Sequence, residues 1–200
     1  PGQEFGVFYY RLPEQSRGQI FSINRKILLR VEGDGNSTLE ELILKDDRAL
    51  CLAPMFFKQL EAELLDIVPV GETRQLGQVG THCLGALFLN GADLITGNLL
   101  DGIEPIIRDY DGFYFGRFDL KAPSEEDLKG GRHLKVIELN GLTSEATHIY
   151  DPQNSIFYAW KTLIDQWSIA FKIAEANLKN GAKPMAAGEF IAHWRRGGRQ

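Results

Sequence analysis

The chain has 200 residues, with 22 Lys and Arg against 27 Asp and Glu for a net charge of −5, and 44% hydrophobic against 24% charged residues. That composition supports a folded core and excludes a disordered, collagen-like or low-complexity chain, since the 21 Gly and 8 Pro are scattered singly. A pI near 5.4 excludes a broad basic face for nucleic acid; the one basic cluster, Arg195, Arg196 and Arg199, reads as a solvated tail.

No apolar run reaches the roughly 18 residues of a membrane span, and no basic-then-apolar leader opens the chain. Neither a membrane nor a nucleic-acid partner is expected. Cys51 and Cys83 stand far apart without a CxxC or Cys/His cluster, so free thiols in a reducing, cytoplasmic setting are expected. The first residue is Pro1, and strand character begins at Glu4, so the chain reads as a piece of a longer protein.

In chain order, Glu4 to Leu12 (EFGVFYYRL) and the run QIFSINRKILLRV flank a turn-rich PEQSRG and predict a β-hairpin. Gly33-Asp34-Gly35 predicts a tight turn, and Ser37 with Glu40 a capping box opening a helix through Leu39, Leu42 and Ile43. A second short helix is predicted over Pro54 to Leu64. Glycine-broken apolar stretches from Val68 to Thr96 favour antiparallel strands, and Asn98 is the expected cap of a helix carrying Leu99, Leu100, Ile103, Ile106 and Ile107.

Phe113 to Lys121 and His133 to Asn140 read as two further strands joined by the charged, exposed loop PSEEDLKGGR. A polar loop, GLTSEATHIYDP, precedes one long amphipathic helix from Asn154 to Asn180, ended by Asn180-Gly181 with Pro184 beyond. Trp160 and Trp167, two turns apart on that helix, read as core or interdomain packing. The fold class is α+β, a largely antiparallel sheet with packed helices.

Chemistry concentrates on the last two strands. Side chains two apart share a strand face, which groups Arg117 with Asp119 and Glu138 with Asn140. If Asp119 pairs near Glu138, two carboxylates and an amide gather on one face beside an arginine. Adjacent carboxylates resist burial without a cation, and these are the hard oxygen ligands that Mg²⁺ accepts, one or two carboxylates being completed by substrate phosphate. Spacing alone is explained more simply by an exposed polar stripe in which Arg117 pairs with Asp119 or Glu138. The hydroxyl-dense loop Gly141 to His148, directly after Asn140, favours the functional reading.

These motifs together resemble the ATP-grasp ligases. Gly116-Arg117-Phe118-Asp119 matches the Arg-x-Asp strand, Glu138-Leu139-Asn140 the Glu-x-Asn strand, and Gly141 to Pro152 the substrate loop and proline, with a spacing similar to that of D-alanine–D-alanine ligases. Gly2-Gln3-Glu4-Phe5 resembles the Gly-x-Glu strand of the same fold. Gly33-Asp34-Gly35 with Ser37-Thr38 and Glu41-Leu42 resembles the cyanophycin synthetase and carboxylate–amine ligase branches.

The resemblance implies the C-terminal catalytic portion of an ATP-grasp domain over residues 1–182, with a tail at 183–200. It implies ATP and Mg²⁺ as cofactors, with Asp119, Glu138 and Asn140 as metal ligands and Arg117 stabilising the moving γ-phosphoryl. A small-molecule carboxylate would be activated as an acyl-phosphate and taken by an amine, giving an amide or peptide bond. Ile137 and Lys26 are the candidates for contacting nucleotide; Ser144, Glu145 and Arg11 are those for substrate.

For Lys26 and Arg11 a solvated strand-edge charge is the simpler account, for Ser144 and Glu145 a turn or cap, and for Ile137 an ordinary core position. His82, His133 and His148 lack partners at metal spacing, and Gly80 to Gly85 (GTHCLG) is a weak phosphate cradle because it opens no helix. The family also carries an earlier nucleotide-covering segment that would precede Pro1. The rival expectations are a non-catalytic binding module of the same fold and a metal-dependent phosphate-ester hydrolase. The sequence carries no signal of oligomeric state.

Overall fold

The computed structural model describes residues 2–77, 80, 85–108, 110 and 112–197, with side chains to 195 at the C-terminal end. The predicted opening hairpin forms from β1 (Gln3–Tyr10) and β2 (Gln19–Ile27), paired antiparallel from Glu4↔Lys26 to Tyr10↔Gln19. The last two predicted strands are β6 (Phe115–Ala122) and β7 (Lys135–Asn140). With β5 (Leu87–Asn90) they complete a five-stranded antiparallel sheet in the order β5-β2-β1-β6-β7. Two short strands, β3 (Arg30–Glu32) and β4 (Thr73–Gln75), make a separate two-stranded sheet.

Period-2 alternation gives the large sheet two unlike faces. On one, Phe5, Val7, Tyr9, Ile23, Phe118 and Leu120 are buried against Leu99, Ile103 and Ile107 of α4 (Gly97–Arg108). The Tyr9 hydroxyl donates to the buried Glu104 of α4 at 3.1 Å, and Gly18 N–H donates to the same carboxylate, tying the hairpin turn to the helix. A second core joins the small sheet to α1 (Leu39–Lys45), α2 (Asp47–Leu50) and α3 (Ala53–Gln59) through Val31, Ile43, Phe56 and Val68.

Several predicted boundaries move. The capping box of α1 is Thr38 with Glu41, one residue beyond the Ser37 and Glu40 expected; Ser37 instead donates its hydroxyl to Asp34 in the preceding turn. Thr96, rather than Asn98, has the side chain that accepts from the first turn of α4, from Leu99 N–H. The second short helix stops at Gln59, and turns follow. The loop expected between the last two strands contains α5 (Glu125–Lys129), because Ser124 caps an acidic first turn.

The long helix forms as α6 (Ile156–Lys179), capped by Ser155 and closed at Asn180, with Gly181 at φ 94°. Its packing differs from expectation. Thr162, Gln166, Ala170 and Ile173 are its buried residues, while Trp160 and Trp167 are 55% and 44% exposed, so neither is a core residue of this chain. Of its buried residues, Ala170 and Ile173 pack against Phe8 and Phe115 on the second face of the sheet. The 183–200 segment holds a further helix, α7 (Ala187–Gly197), with no buried side chain among those described. No helix among the described residues is long and apolar enough to cross a membrane.

Candidate functional site

The second face of the sheet is divided. Toward one end Phe8 and Phe115 lie under α6; toward the other the same alternation brings up polar groups. Across β6 and β7 the register sets Asp119 directly opposite Glu138 and Arg117 opposite Asn140, the pairing expected from the strand spacing. A bulge follows Asp119, so Leu120 faces Val136 and Ile137 is the extra residue on the edge strand, 53% exposed.

Asp119 is 6% exposed and both its oxygens are engaged. Arg117 Nε donates to Oδ1 at 2.9 Å, and Lys26 Nζ stands 3.0 Å from Oδ2. Lys26 lies on β2 and Asp119 on β6, with β1 between them. On β1 the residue opposite both Asn24 and Asp119 is Gly6, where a Cβ would stand 2.2 Å from Asn24 Oδ1 and 3.1 Å from Arg117 Cδ. A glycine in mid-strand costs stability, and here it leaves the space in which side chains from both flanking strands converge.

The side chains of Lys26, Arg117 and Asp119 are only 8%, 15% and 9% exposed, so this is not the solvent-facing stripe that would explain the spacing most simply. Two cations face the Asp119 carboxylate, and the Glu138 carboxylate opposite it across the strand pair balances the second. Glu4 and Lys121 pair with each other next to this group at 3.0 Å, and Glu138 is exposed with no ion pair among the described residues. The amide donors Asn24 Nδ2 and Asn140 Nδ2 are buried without partners. Unpaired donors are what phosphate oxygens satisfy.

A cleft of about 530 Å³ lies at the Glu4–Lys26–Lys121 end of the sheet, bordered also by Arg25, Arg30 and Glu125; Lys26 reaches it, while Arg117, Asp119, Glu138 and Asn140 do not line it. Among the described residues no group of three or more His, Cys, Asp or Glu side chains is placed to hold a metal ion. Asp119, Glu138 and Asn140 carry the hard oxygen atoms that Mg²⁺ accepts, but both Asp119 oxygens are held by Arg117 and Lys26, and of the two carboxylates only Glu138 is without an ion pair among the described residues.

The loop after β7 is fixed from two sides. Gln166, 1% exposed on α6, accepts from Ala146 N–H at 2.9 Å and donates to the Ser144 carbonyl at 3.0 Å. Arg117 Nη1 donates to the Glu145 carbonyl at 2.9 Å, so the guanidinium couples the loop to Asp119. The Ser144 hydroxyl closes a turn onto the Gly141 carbonyl at 2.6 Å. The Glu145 carboxylate accepts from the Tyr150 hydroxyl at 2.7 Å, and that bond, with burial, pushes the phenol up to about 12.

Arg11 is not brought to this face. It follows β1 at the far end, donates to the Gln15 carbonyl and lies over the Tyr114 ring, beside a separate pocket with Glu104 and Arg108. The GTHCLG segment falls mostly outside the described residues, His82 and Cys83 included; its Gly80 lies above Glu4 and Lys26.

Sequence reasoning passed over Gly6, Asn24 and Gln166, and weighed His148 only as a metal ligand. The last is 5% exposed in the 3-10 turn Thr147–Tyr150 with Nδ1 unpartnered, and burial holds its imidazole below the ordinary value. Its neighbour Asp151 accepts from Asn90 N–H at 2.7 Å, pinning this turn to β5. A polar glycine-flanked strand signals Asn24 and Gly6 only once the register is known.

No protein-family model and no curated protein matches the chain. Among solved structures the fold is similar to that of a bifunctional glutathione synthetase from Pasteurella multocida, at 18% identity and a TM-score of 0.52. The match covers 84% of this chain and 24% of that one, so the chain spans about a quarter of that enzyme. The likeness agrees with the α+β, largely antiparallel architecture expected from the sequence. It does not reach the D-alanine–D-alanine ligase or cyanophycin synthetase branches.

Proposed function

We propose that the chain forms part of an ATP-dependent carboxylate–amine ligase and supplies its phosphate-facing end. The observation that carries this reading is the buried Lys26–Asp119–Arg117 group opposite Glu138 and Asn140, with the unpaired amide donors of Asn24 and Asn140 on the same sheet. The ATP-grasp fold likeness agrees with it.

Asp119, Glu138 and Asn140 would hold Mg²⁺, which when bound draws phosphate oxygens together and offsets their charge. Arg117, held in one orientation by Asp119 and the Glu145 carbonyl, is placed to receive negative charge that develops on a transferring phosphoryl group. Such a preformed donor needs no reorganisation during the reaction. Lys26 adds a second fixed cation, and Asn24 and Asn140 add neutral donors. The γ-phosphoryl would pass to a carboxylate oxygen with release of ADP; an amine would then displace phosphate to form the amide.

Assay of the full-length protein for ADP release tests this. Release that requires both a carboxylate and an amine supports the ligase. Nucleotide binding with no release points to a binding module, and phosphate-ester cleavage without ATP to a hydrolase.

A further inference from the structure

The outer side of α6 has a pattern that folding of this chain leaves unused. Phe157, Trp160, Ile164, Trp167, Phe171, Ala174 and Leu178 alternate at three- and four-residue steps, the a and d positions of a heptad, and all are exposed. Phe157, Ile164 and Phe171 are 72%, 67% and 71% exposed. The inward residues Thr162, Gln166, Ala170 and Ile173 occupy the other side, so the stripe is separate from the packing that seats the helix.

A stripe of strict heptad spacing over about 32 Å of helix is the seam of a helix pair rather than the broad face that covers a globular core. Its four aromatics bury about 150–250 Å² each when covered. With Ile164 and Leu178 they present on the order of 700 Å² of apolar surface, near the roughly 800 Å² per partner of a stable interface.

We propose that this stripe pairs with the same stripe of a second copy of the chain, antiparallel across a two-fold axis near Ser168. Charge selects this arrangement. The e positions beside the seam are Lys161, Ser168 and Glu175. Antiparallel pairing, with Trp167 layered on Phe171 of the second copy and Ile164 on Ala174, brings e against e: Lys161 meets Glu175 of the second copy twice, and Ser168 meets Ser168. Both charged residues are exposed and hold only intrahelical partners, Asp165 and Lys179, leaving them free to bridge. A self-complementary patch of this kind closes as a two-fold dimer.

Sedimentation equilibrium of the full-length protein should give about twice its monomer mass at micromolar concentration. Trp167→Glu, and independently Ile164→Lys, should return it to monomer with an unchanged far-ultraviolet spectrum, since both side chains are outside the core. Lys161→Glu alone and Glu175→Lys alone should each raise the dimer dissociation constant about ten-fold at low salt, and the two together should restore it.

A monomer at all concentrations overturns the proposal, as does a dimer indifferent to Trp167→Glu. Association lost on deleting residues 184–200 but kept in Trp167→Glu would move the interface to α7 and overturn it equally. A charge swap that fails to rescue overturns the antiparallel register.

Discussion

The two faces of the five-stranded sheet are built from the same strands by the same alternation, yet they are stabilised in opposite ways. The face against α4 carries Phe5, Val7, Tyr9, Phe118 and Leu120 and gains from apolar burial. The other, at the β2–β1–β6 centre, carries Asn24, Gly6, Lys26, Arg117 and Asp119, a glycine and buried charges that folding alone would not select. Buried ion pairs roughly break even against apolar residues of similar size. Residue choices of that kind, on a face beside a pinned loop, are the ground for the anionic-ligand site proposed above.

The difference between the faces is open to direct test. The largest effect is expected on the apolar face: Phe118→Ala, at a position 1% exposed, should lose about 3–5 kcal/mol in chemical denaturation. Gly6→Ala, on the polar face, should cost less, about 1–3 kcal/mol, because the added methyl must displace the Asn24 amide and the Arg117 stem. It should also weaken nucleotide binding, read by calorimetry, whereas Phe118→Ala should leave the affinity of the folded fraction unchanged.

The smallest effect concerns pH. His148 is buried with its pKa held below 6.5 by desolvation, so the unfolded chain takes up protons that the native chain refuses. Stability is therefore full above about pH 6.5 and declines as pH falls from there toward the depressed native value. Melting curves from about pH 8 to about pH 5 should show this decline, and His148→Gln should reduce it.

The sheet was legible in the sequence because period 2 is a local signal. EFGVFYYRL, FGRFDLK and KVIELN each state which residues share a face, and the pairing of Asp119 with Glu138 followed from spacing. What joins those faces was not legible. Lys26 reaches Asp119 across an intervening strand, and Gln166 clamps a loop about twenty positions earlier; both contacts depend on three-dimensional register. The capping box slipped by one because Ser37-Thr38 and Glu40-Glu41 offer two frames, and tertiary contacts of Ser37 with Asp34 and Lys45 chose between them. The apolar periodicity of α6 located a helix correctly but is silent on which partner covers its wider face.

The claim on which the rest depends is that the buried charges serve a ligand and not the fold. The most direct test is the full-length protein carrying Lys26→Met, Arg117→Met and Asp119→Leu together, with stability and Mg²⁺-dependent ATP binding measured side by side. The expected result is stability within about 1 kcal/mol of the parent, or higher, with binding abolished. A variant that binds Mg²⁺ and ATP as the parent does would contradict the account.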